Sequence, residues 1–386
     1  MDNQKQSFFD LNLAFFILLI MITSILTLHS AETQHPENFM LKQAMWFGVS
    51  IVVVAGIFLF DFDQIKSLAP VAYGFGLLIL VALLLSPESL VPEINGAPSW
   101  FVLPGIGSIQ PSEYMKIFLI LMLSYMTQTH NTSHVPGHLP SDFLYLGKVA
   151  LISGIPMLLV LKQNDFGTTL VILVISAFIV FVSGINWKIL LSLITAALLG
   201  IASLVLMFIY RTEWLETFVS GYQINRIYAW LDPFKYGSDI SYQLKQSILA
   251  VGSGQTQGKG YDHGVVYIPE AHSDFIFSNV AEEFGFIGSS VVVCLYFLII
   301  YRIVMIGIDQ QKDTFQSYVC CGVAGLLAFH VFQNIGMVIG LLPITGIPLP
   351  LMSYGGSSVL ATMMGLGLIM NMSLKRKGYM FSESTV

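Results

Sequence analysis

Long apolar runs follow one another from residue 11 to residue 373, and they constrain this chain more than any other feature. A bilayer core of about 30 Å takes about 20 apolar residues of helix to cross. Backbone groups surrounded by lipid must bond within their own segment, so runs of this length are helices. Ten spans are expected, at 11–29, 41–60, 68–86, 113–128, 147–162, 167–184, 187–210, 276–304, 318–342 and 353–373, of which 113–128 and 147–162 are the shortest. Charged residues make up only 10% of the chain, against roughly 25% in soluble domains. The expected class is an all-α polytopic membrane protein, one integral membrane unit over 1–386. No A-x-A-like cleavage site follows Leu11–Leu28, which therefore reads as a span and not as a signal peptide. No repeat with a period of about 20–50 residues is visible.

Lysine and arginine orient such a chain. One set of connections holds Lys5, Lys66, Lys148, Lys188, Arg302, Lys312, Lys375, Arg376 and Lys377. The opposite short loops, 30–40, 87–112, 163–166 and 343–352, hold none, with Lys162 at the edge of one. With an even number of spans, both termini are expected on the cytoplasmic side. The connection 211–275 then faces outside, although it carries Arg211, Arg226, Lys235, Lys245 and Lys259. Long loops escape the charge rule, so a plain solvated loop accounts for it. The other reading is a group of cations meeting an anionic ligand. Its Tyr222, Ile227, Tyr228, Trp230 and Tyr242 suggest short helices lying along the interface. A net charge of −6 gives no basic field for nucleic acid. Cys294, Cys320 and Cys321 lie in apolar runs without C-x-x-C spacing and read as packing residues.

The stretch from Gly252 to Gly288 interrupts this apolar pattern. Glycines crowd its first half, where the backbone is free to turn tightly. Its second half puts Glu270, His272 and Asp274 at the mouth of a span, where ionisable groups are expensive and usually kept for function. Three other segments share that outer side. In 87–112, Pro and Gly exclude regular helix over most of the length, and Glu113 and Lys116 follow at i, i+3 on the fourth span. Such a pair is either a self-satisfying ion pair or a site-organising one. Asp165 stands before Thr168 and Thr169, where a helix cap explains it and site membership is also open. The prolines 343, 348 and 350 break the helix before Ser353, Tyr354, Gly355, Gly356 and Ser357. That cluster suits either an anion or sugar seat or close helix packing. His330, Gln333 and Asn334 read as interhelical contacts outside the site.

Five of these pieces, SWFVLPGIGSIQPSEYMKI, LKQNDFGTTL, NRIYAWLDPF with YQLKQSILAVGSGQTQGKG, IPEAHSDFIFSNVAEEFGFIG and GIPLPLMSYGGSS, together resemble the SEDS family (shape, elongation, division and sporulation: RodA, FtsW, SpoVE) in family order. GKGYDHGVVYIPEAHSDFIF is most like the RodA branch. Ser273 replaces the family's usual Thr, and Gln255 stands where a second Gly is common. The resemblance implies a peptidoglycan glycosyltransferase that polymerises lipid II at the outer face of the cytoplasmic membrane, partnered by a class B penicillin-binding protein and embedded in membrane lipids. It maps the family's essential aspartate onto Asp274, as general base for the acceptor sugar hydroxyl. Arg226 and Lys116, with Arg211 and Lys259 behind them, are expected to meet the undecaprenyl pyrophosphate leaving group, joined by Ser353, Tyr354, Gly355, Gly356 and Ser357. Glu113, Asp165, Glu270, His272 and Gln243 complete the site as organising residues. A divalent cation (Mg or Mn) is suggested by the resemblance, with Glu270 and Asp165 as ligands, although no H-x-x-x-H or carboxylate cage declares it. No G-x-x-x-x-G-K-[ST] loop is present, so no nucleotide is expected. The rival expectations are a lipid II flippase, which would place its polar groups near the midplane, and a non-enzymatic scaffold for a penicillin-binding protein.

Overall fold

The computed structural model describes residues 10–33, 37–94, 96–103, 107–210, 221–235, 239–310 and 314–374. The first seven helices are α1 (Leu11–Glu32), α2 (Phe39–Ile57), α3 (Phe62–Leu85), α4 (Pro111–Ser133), α5 (Leu139–Leu161), α6 (Phe166–Val182) and α7 (Trp187–Tyr210). After them come α8 (Gly221–Leu231), α9 (Asp239–Gly254), α10 (Ile276–Asp309), α11 (Thr314–Val338) and α12 (Gly356–Leu374). Local chemistry sets several of the starts. Asp10 caps α1 by accepting from the Leu13 amide at 3.1 Å, and Asp61 and Gln64 form a capping box at α3. Pro111 opens α4, where its missing N–H costs nothing.

Helices occupy all ten expected runs, but with different bounds. Among the described residues, eight are long and apolar enough to cross a membrane by length and composition. The two that fall short are α4, whose buried face carries Glu113, Lys116, Ser124, Thr127 and His130, and α6, with 17 residues. The runs at 113–128 and 147–162 extend to 111–133 and 139–161, because polar helical turns at their ends are invisible to an apolar count. Segment 87–112 holds a small antiparallel hairpin, Phe101–Leu103 paired with Gly107–Ile109, which helix-breaking residues alone did not foretell. Cys294, Cys320 and Cys321 are free thiols.

The glycine-rich stretch turns out to be a splice between two chain segments. α10 breaks at Gly285, with φ 63° and ψ −159°. The turn that follows α9 fills the gap. Lys259 and Gly260 donate to the carbonyls of Glu282 and Glu283 at 3.0 and 2.9 Å. In return, Phe286 and Ile287 donate to the carbonyls of Gln255 and Thr256 at 2.9 and 3.2 Å. Backbone groups orphaned by the kink are thereby satisfied. A Cβ on Gly254 would fall on the Ala281 carbonyl, and one on Gly258 on the Glu283 carbonyl. Glycine supplies two things here: the positive φ of Gly258, Gly260 and Gly285, and the close approach of two backbones at Gly254 and Gly258.

Candidate active site

Four segments converge at one end of the bundle: the start of α4, the start of α6, the loop before α10, and the irregular strap 343–355 between α11 and α12. The strap lies against α6, since a Cβ on Gly167 would come within 2.8 Å of the Thr345 carbonyl oxygen. It is stitched to the loop before α10. Ser353 Oγ donates to the Ser273 carbonyl at 2.7 Å and accepts from the Leu349 amide at 2.8 Å, while the Tyr354 amide donates to the His272 carbonyl at 2.8 Å.

Asp274 is partly buried at the end of that loop. Gly346, at φ +71°, faces it, and a Cβ there would lie 3.3 Å from Asp274 Oδ2. Loss of hydration pushes the Asp274 carboxyl up to about 7, Glu270 and Asp165 push the same way, and the Arg226 guanidinium pulls against them. Arg226 is itself fixed to the strap, donating to the Ile344 carbonyl at 3.1 Å. Beside it on α8, Trp230 Nε1 donates to the Gly340 carbonyl at 3.0 Å.

Glu113 and Lys116 form a buried ion pair at 2.8 Å on α4. Lys116 also lies 3.3 Å from His330 Nε2, and His330 Nδ1 lies 3.1 Å from the Pro348 carbonyl. A carbonyl only accepts, so Nδ1 carries the proton and Nε2 accepts from the ammonium. Asp165 caps α6 through the Thr168 amide and hydroxyl at 2.9 and 2.7 Å, and it accepts from Gln110 at 3.0 Å. Burial raises its pKa; Glu113 adds to the rise and Lys116 opposes it. The cap and the site membership are therefore both present. Arg226 acts on Asp274 directly, whereas Lys116 reaches the cluster through Asp165.

Glu270 accepts from Ser273 Oγ at 2.7 Å and lies 3.8 Å from His272, whose ring stacks on Phe39 at 4.2 Å. Ser357 Oγ accepts from the Gln110 amide at 3.0 Å, and Gly356 packs so tightly that a Cβ would enter the Trp46 ring. The hydroxyls of Ser353 and Ser357 are thus engaged within the protein. Tyr354 flanks Phe39 at 5.1 Å, and Gly355, beside it, is partly buried. Lys259 is committed to Glu282 at 2.5 Å on the spliced corner and is not among the charges acting on Asp274. Gln243 sits partly buried on α9, one turn before Ser247, whose hydroxyl bonds the Val338 carbonyl at 2.7 Å. Arg211 lies outside the described residues, as do Lys5, Lys312, Lys375, Arg376, Lys377 and the side chain of Tyr222.

His330 makes the expected interhelical contact, to Lys116 on α4; beyond that reading, Asn334 donates to the carbonyls of Asp274 at 2.7 Å and Ile347 at 2.8 Å, so one face of α11 also borders the candidate site. Their i, i+4 spacing was the available signal. An H-x-x-x-H pattern does occur, at His130 and His134, but at the far end of α4.

A divalent cation finds no ready cage here. Among the described residues, no group of three or more His, Cys, Asp or Glu side chains could hold one. Both Asp165 oxygens are already engaged by Thr168 and Gln110, which leaves Glu270 poorly supported as a ligand. The described side chains offer a raised carboxylate within the field of Arg226.

The family model described as "Cell cycle protein", covering FtsW, RodA and SpoVE, matches residues 5–378. The chain is 32% identical to the probable peptidoglycan glycosyltransferase FtsW of Geobacter sp. (strain M18), over 93% of this chain and 94% of the relative. It is also 32% identical to the peptidoglycan glycosyltransferase MrdB of Escherichia coli (strain K12), over 97% and 95%. Among solved structures, it resembles a chain from work on structural coordination of polymerization and crosslinking by a peptidoglycan synthase complex. The TM-score is 0.74 at 27% identity, with 95% of this chain and 99% of that one covered. The crystal structure of the rod shape determining protein RodA of Thermus thermophilus matches with a TM-score of 0.67 at 27% identity, over 96% and 97%.

Proposed function

The chain belongs to the FtsW, RodA and SpoVE family of cell-cycle proteins, and from that premise we propose that it polymerises lipid II with Asp274 as general base. It is a peptidoglycan glycosyltransferase and a multi-pass protein of the bacterial cytoplasmic membrane. The observation that carries the mechanism is one carboxyl, Asp274, faced by Gly346 and within the field of the strap-anchored Arg226, with its pKa pushed up to about 7.

A sugar hydroxyl is a poor nucleophile until a base takes its proton in the transition state, and a base titrating near the working pH is best suited to that. Asp274 takes the proton of the acceptor's 4-hydroxyl as that oxygen bonds to the anomeric carbon of the donor. The bond from that carbon to the pyrophosphate oxygen breaks, and the configuration inverts from α to β. Negative charge gathers on undecaprenyl pyrophosphate as it leaves. Arg226 and Lys116 supply fixed positive charge for it, a kind of stabilisation worth roughly 10²–10³ in rate per well-placed donor. Glu113 and His330 hold Lys116, while Asp165 and Glu270 keep the pKa of Asp274 high.

The lysine and arginine asymmetry supports an orientation with ten spans, α4 and α6 included, both termini cytoplasmic, and this site together with 211–275 outside. The polar character of α4 is consistent with a span because its charged residues face the bundle interior. The solved peptidoglycan synthase complex supports a class B penicillin-binding protein as partner. The segment GKGYDHGVVYIPEAHSDFIF supports a role in elongation and shape.

Purified chain, incubated with lipid II with and without a transpeptidase partner, is expected to make glycan polymer that Asp274→Ala does not make. Absence of polymer from wild type under every partner and metal condition, with lipid II transport intact, would replace this reading with the flippase. Full activity of Asp274→Ala would remove the aspartate from the mechanism.

A further inference from the structure

A second polar cluster stands at the other end of α4, about 33 Å from its first residue at 1.5 Å per residue. His130, buried in the last turns of α4, has Lys148 Nζ 3.3 Å from its Nδ1 and Ser141 Oγ 3.0 Å from its Nε2. An ammonium only donates, so Nδ1 accepts and the ring proton sits on Nε2, facing Ser141. His130 is thereby neutral, with both nitrogens spent. His134 lies flat on it, centroids 4.4 Å apart and planes 6° from parallel, with Nδ1 3.3 Å from the His130 carbonyl. That carbonyl fixes the proton on Nδ1 and leaves the exposed Nε2 uncommitted among the described residues.

Lys148 has no carboxylate partner among the described residues. Asp142, which acts on His130 electrostatically, is spent on the amides of Gly137 at 3.2 Å and Asn186 at 2.9 Å. One of the three ammonium protons serves His130, and two remain. Between α4 and α5, these groups line a cavity of about 150 Å³ together with Thr129, Ser133 and the apolar faces of Met122, Tyr125 and Met126. That space equals about five waters. A cationic rim over an apolar floor, at the end of a helix pair in a membrane protein, matches one chemistry: a lipid phosphate with the start of its acyl chain.

We propose that this cavity seats an anionic phospholipid, Lys148 donating to its phosphodiester oxygens and Met122, Tyr125 and Met126 taking the first part of a chain. Lys148 belongs to the lysine-rich side of the sequence, so the lipid comes from the inner leaflet. Such a lipid would brace α4 against α5 at the end opposite Asp274.

The test uses the full chain in nanodiscs of equal phosphatidylglycerol and phosphatidylcholine, with retained lipid counted by native mass spectrometry. Wild type is expected to retain phosphatidylglycerol in preference, and Lys148→Gln to lower that preference, by about fivefold for a lost cation. Lys148→Arg, which keeps the charge and a donor for His130, is expected to keep it. Met122→Trp fills the floor without touching the rim and is expected to reduce lipid retention. Equal retention of both lipids by wild type overturns the proposal, as does an unchanged preference in Lys148→Gln. Complete displacement of the lipid by inorganic phosphate would make this a free-anion site and overturn the lipid assignment.

Discussion

Replacing Asp274 by asparagine is expected to stabilise the protein while abolishing polymerisation, and the size of the gain follows from its surroundings. The carboxyl releases its proton near 3.8 in water and near 7 in the fold, chiefly because burial strips its hydration. At about 1.36 kcal/mol per pKa unit, that rise corresponds to about 4 kcal/mol of destabilisation once the group is ionised. Solvent reaching the partly exposed carboxyl reduces the figure to about 2–4 kcal/mol. The unfolded chain gives up the proton between pH 4 and 7 while the folded one keeps it. The penalty is therefore absent below about pH 4, grows through that interval, and is complete above 7. Thermal unfolding in detergent at pH 5 and pH 8 should show the Asp274→Asn variant gaining more over wild type at pH 8. The pH–rate profile of wild-type polymerisation supplies a second readout. A base titrating at about 7 is roughly one-tenth ionised at pH 6, so the rate should fall about tenfold per unit below 7. Glu270→Gln removes a charge that raises Asp274, and it should move the acid limb to lower pH. A profile flat from pH 5.5 to 8, or an Asp274→Asn variant less stable than wild type at pH 8, would refute both the base assignment and the electrostatics behind it.

Lys116→Met leaves Glu113 buried without its cation and is expected to cost about 3–5 kcal/mol, read as a lower unfolding temperature. The double variant Glu113→Gln with Lys116→Met should recover most of that stability and none of the polymerisation. Gly254→Ala should sharply lower the yield of folded protein on size-exclusion chromatography, because its Cβ would meet the Ala281 carbonyl. Gly252→Ala, two residues away with open space around it, should change stability by no more than about 1 kcal/mol, favourably if at all.

The helices were legible because apolar composition dictates them, and so was the ionisable cluster of Glu270, His272 and Asp274 just before α10. The bounds of α4 were not legible, since an apolar count stops at Gln128 while the helix continues through polar turns to Ser133. The splice of 255–260 into the kink at Gly285 was also hidden. Its glycines announce freedom in a sequence, but whether that freedom serves a turn or the close approach of a distant backbone depends on which segment arrives. Lys259 shows the same limit: nothing local reveals that a cation in an exterior loop is spent on Glu282, 23 residues later. His330 is the interhelical contact expected of it, but its reach to the strap and that of Asn334 to the Asp274 loop were hidden, because a polar stripe on a span looks the same whether it faces a helix or a loop.

That stripe accounts for how the loop carrying Asp274 is held in place. Asn334 grips the loop by the Asp274 carbonyl and the strap by the Ile347 carbonyl with one amide. One turn earlier, His330 bonds the strap at Pro348 and orients Lys116. A charged residue in the position of Asn334 would shift the pKa of Asp274; a neutral amide places the backbone and leaves the carboxyl to desolvation, Glu270, Asp165 and Arg226. Positioning and tuning are thus carried by different groups, α11 holding the loop while α8, α6 and the loop itself set the charge environment. The buried polar groups of α4 are also why it misses the composition of an ordinary membrane helix.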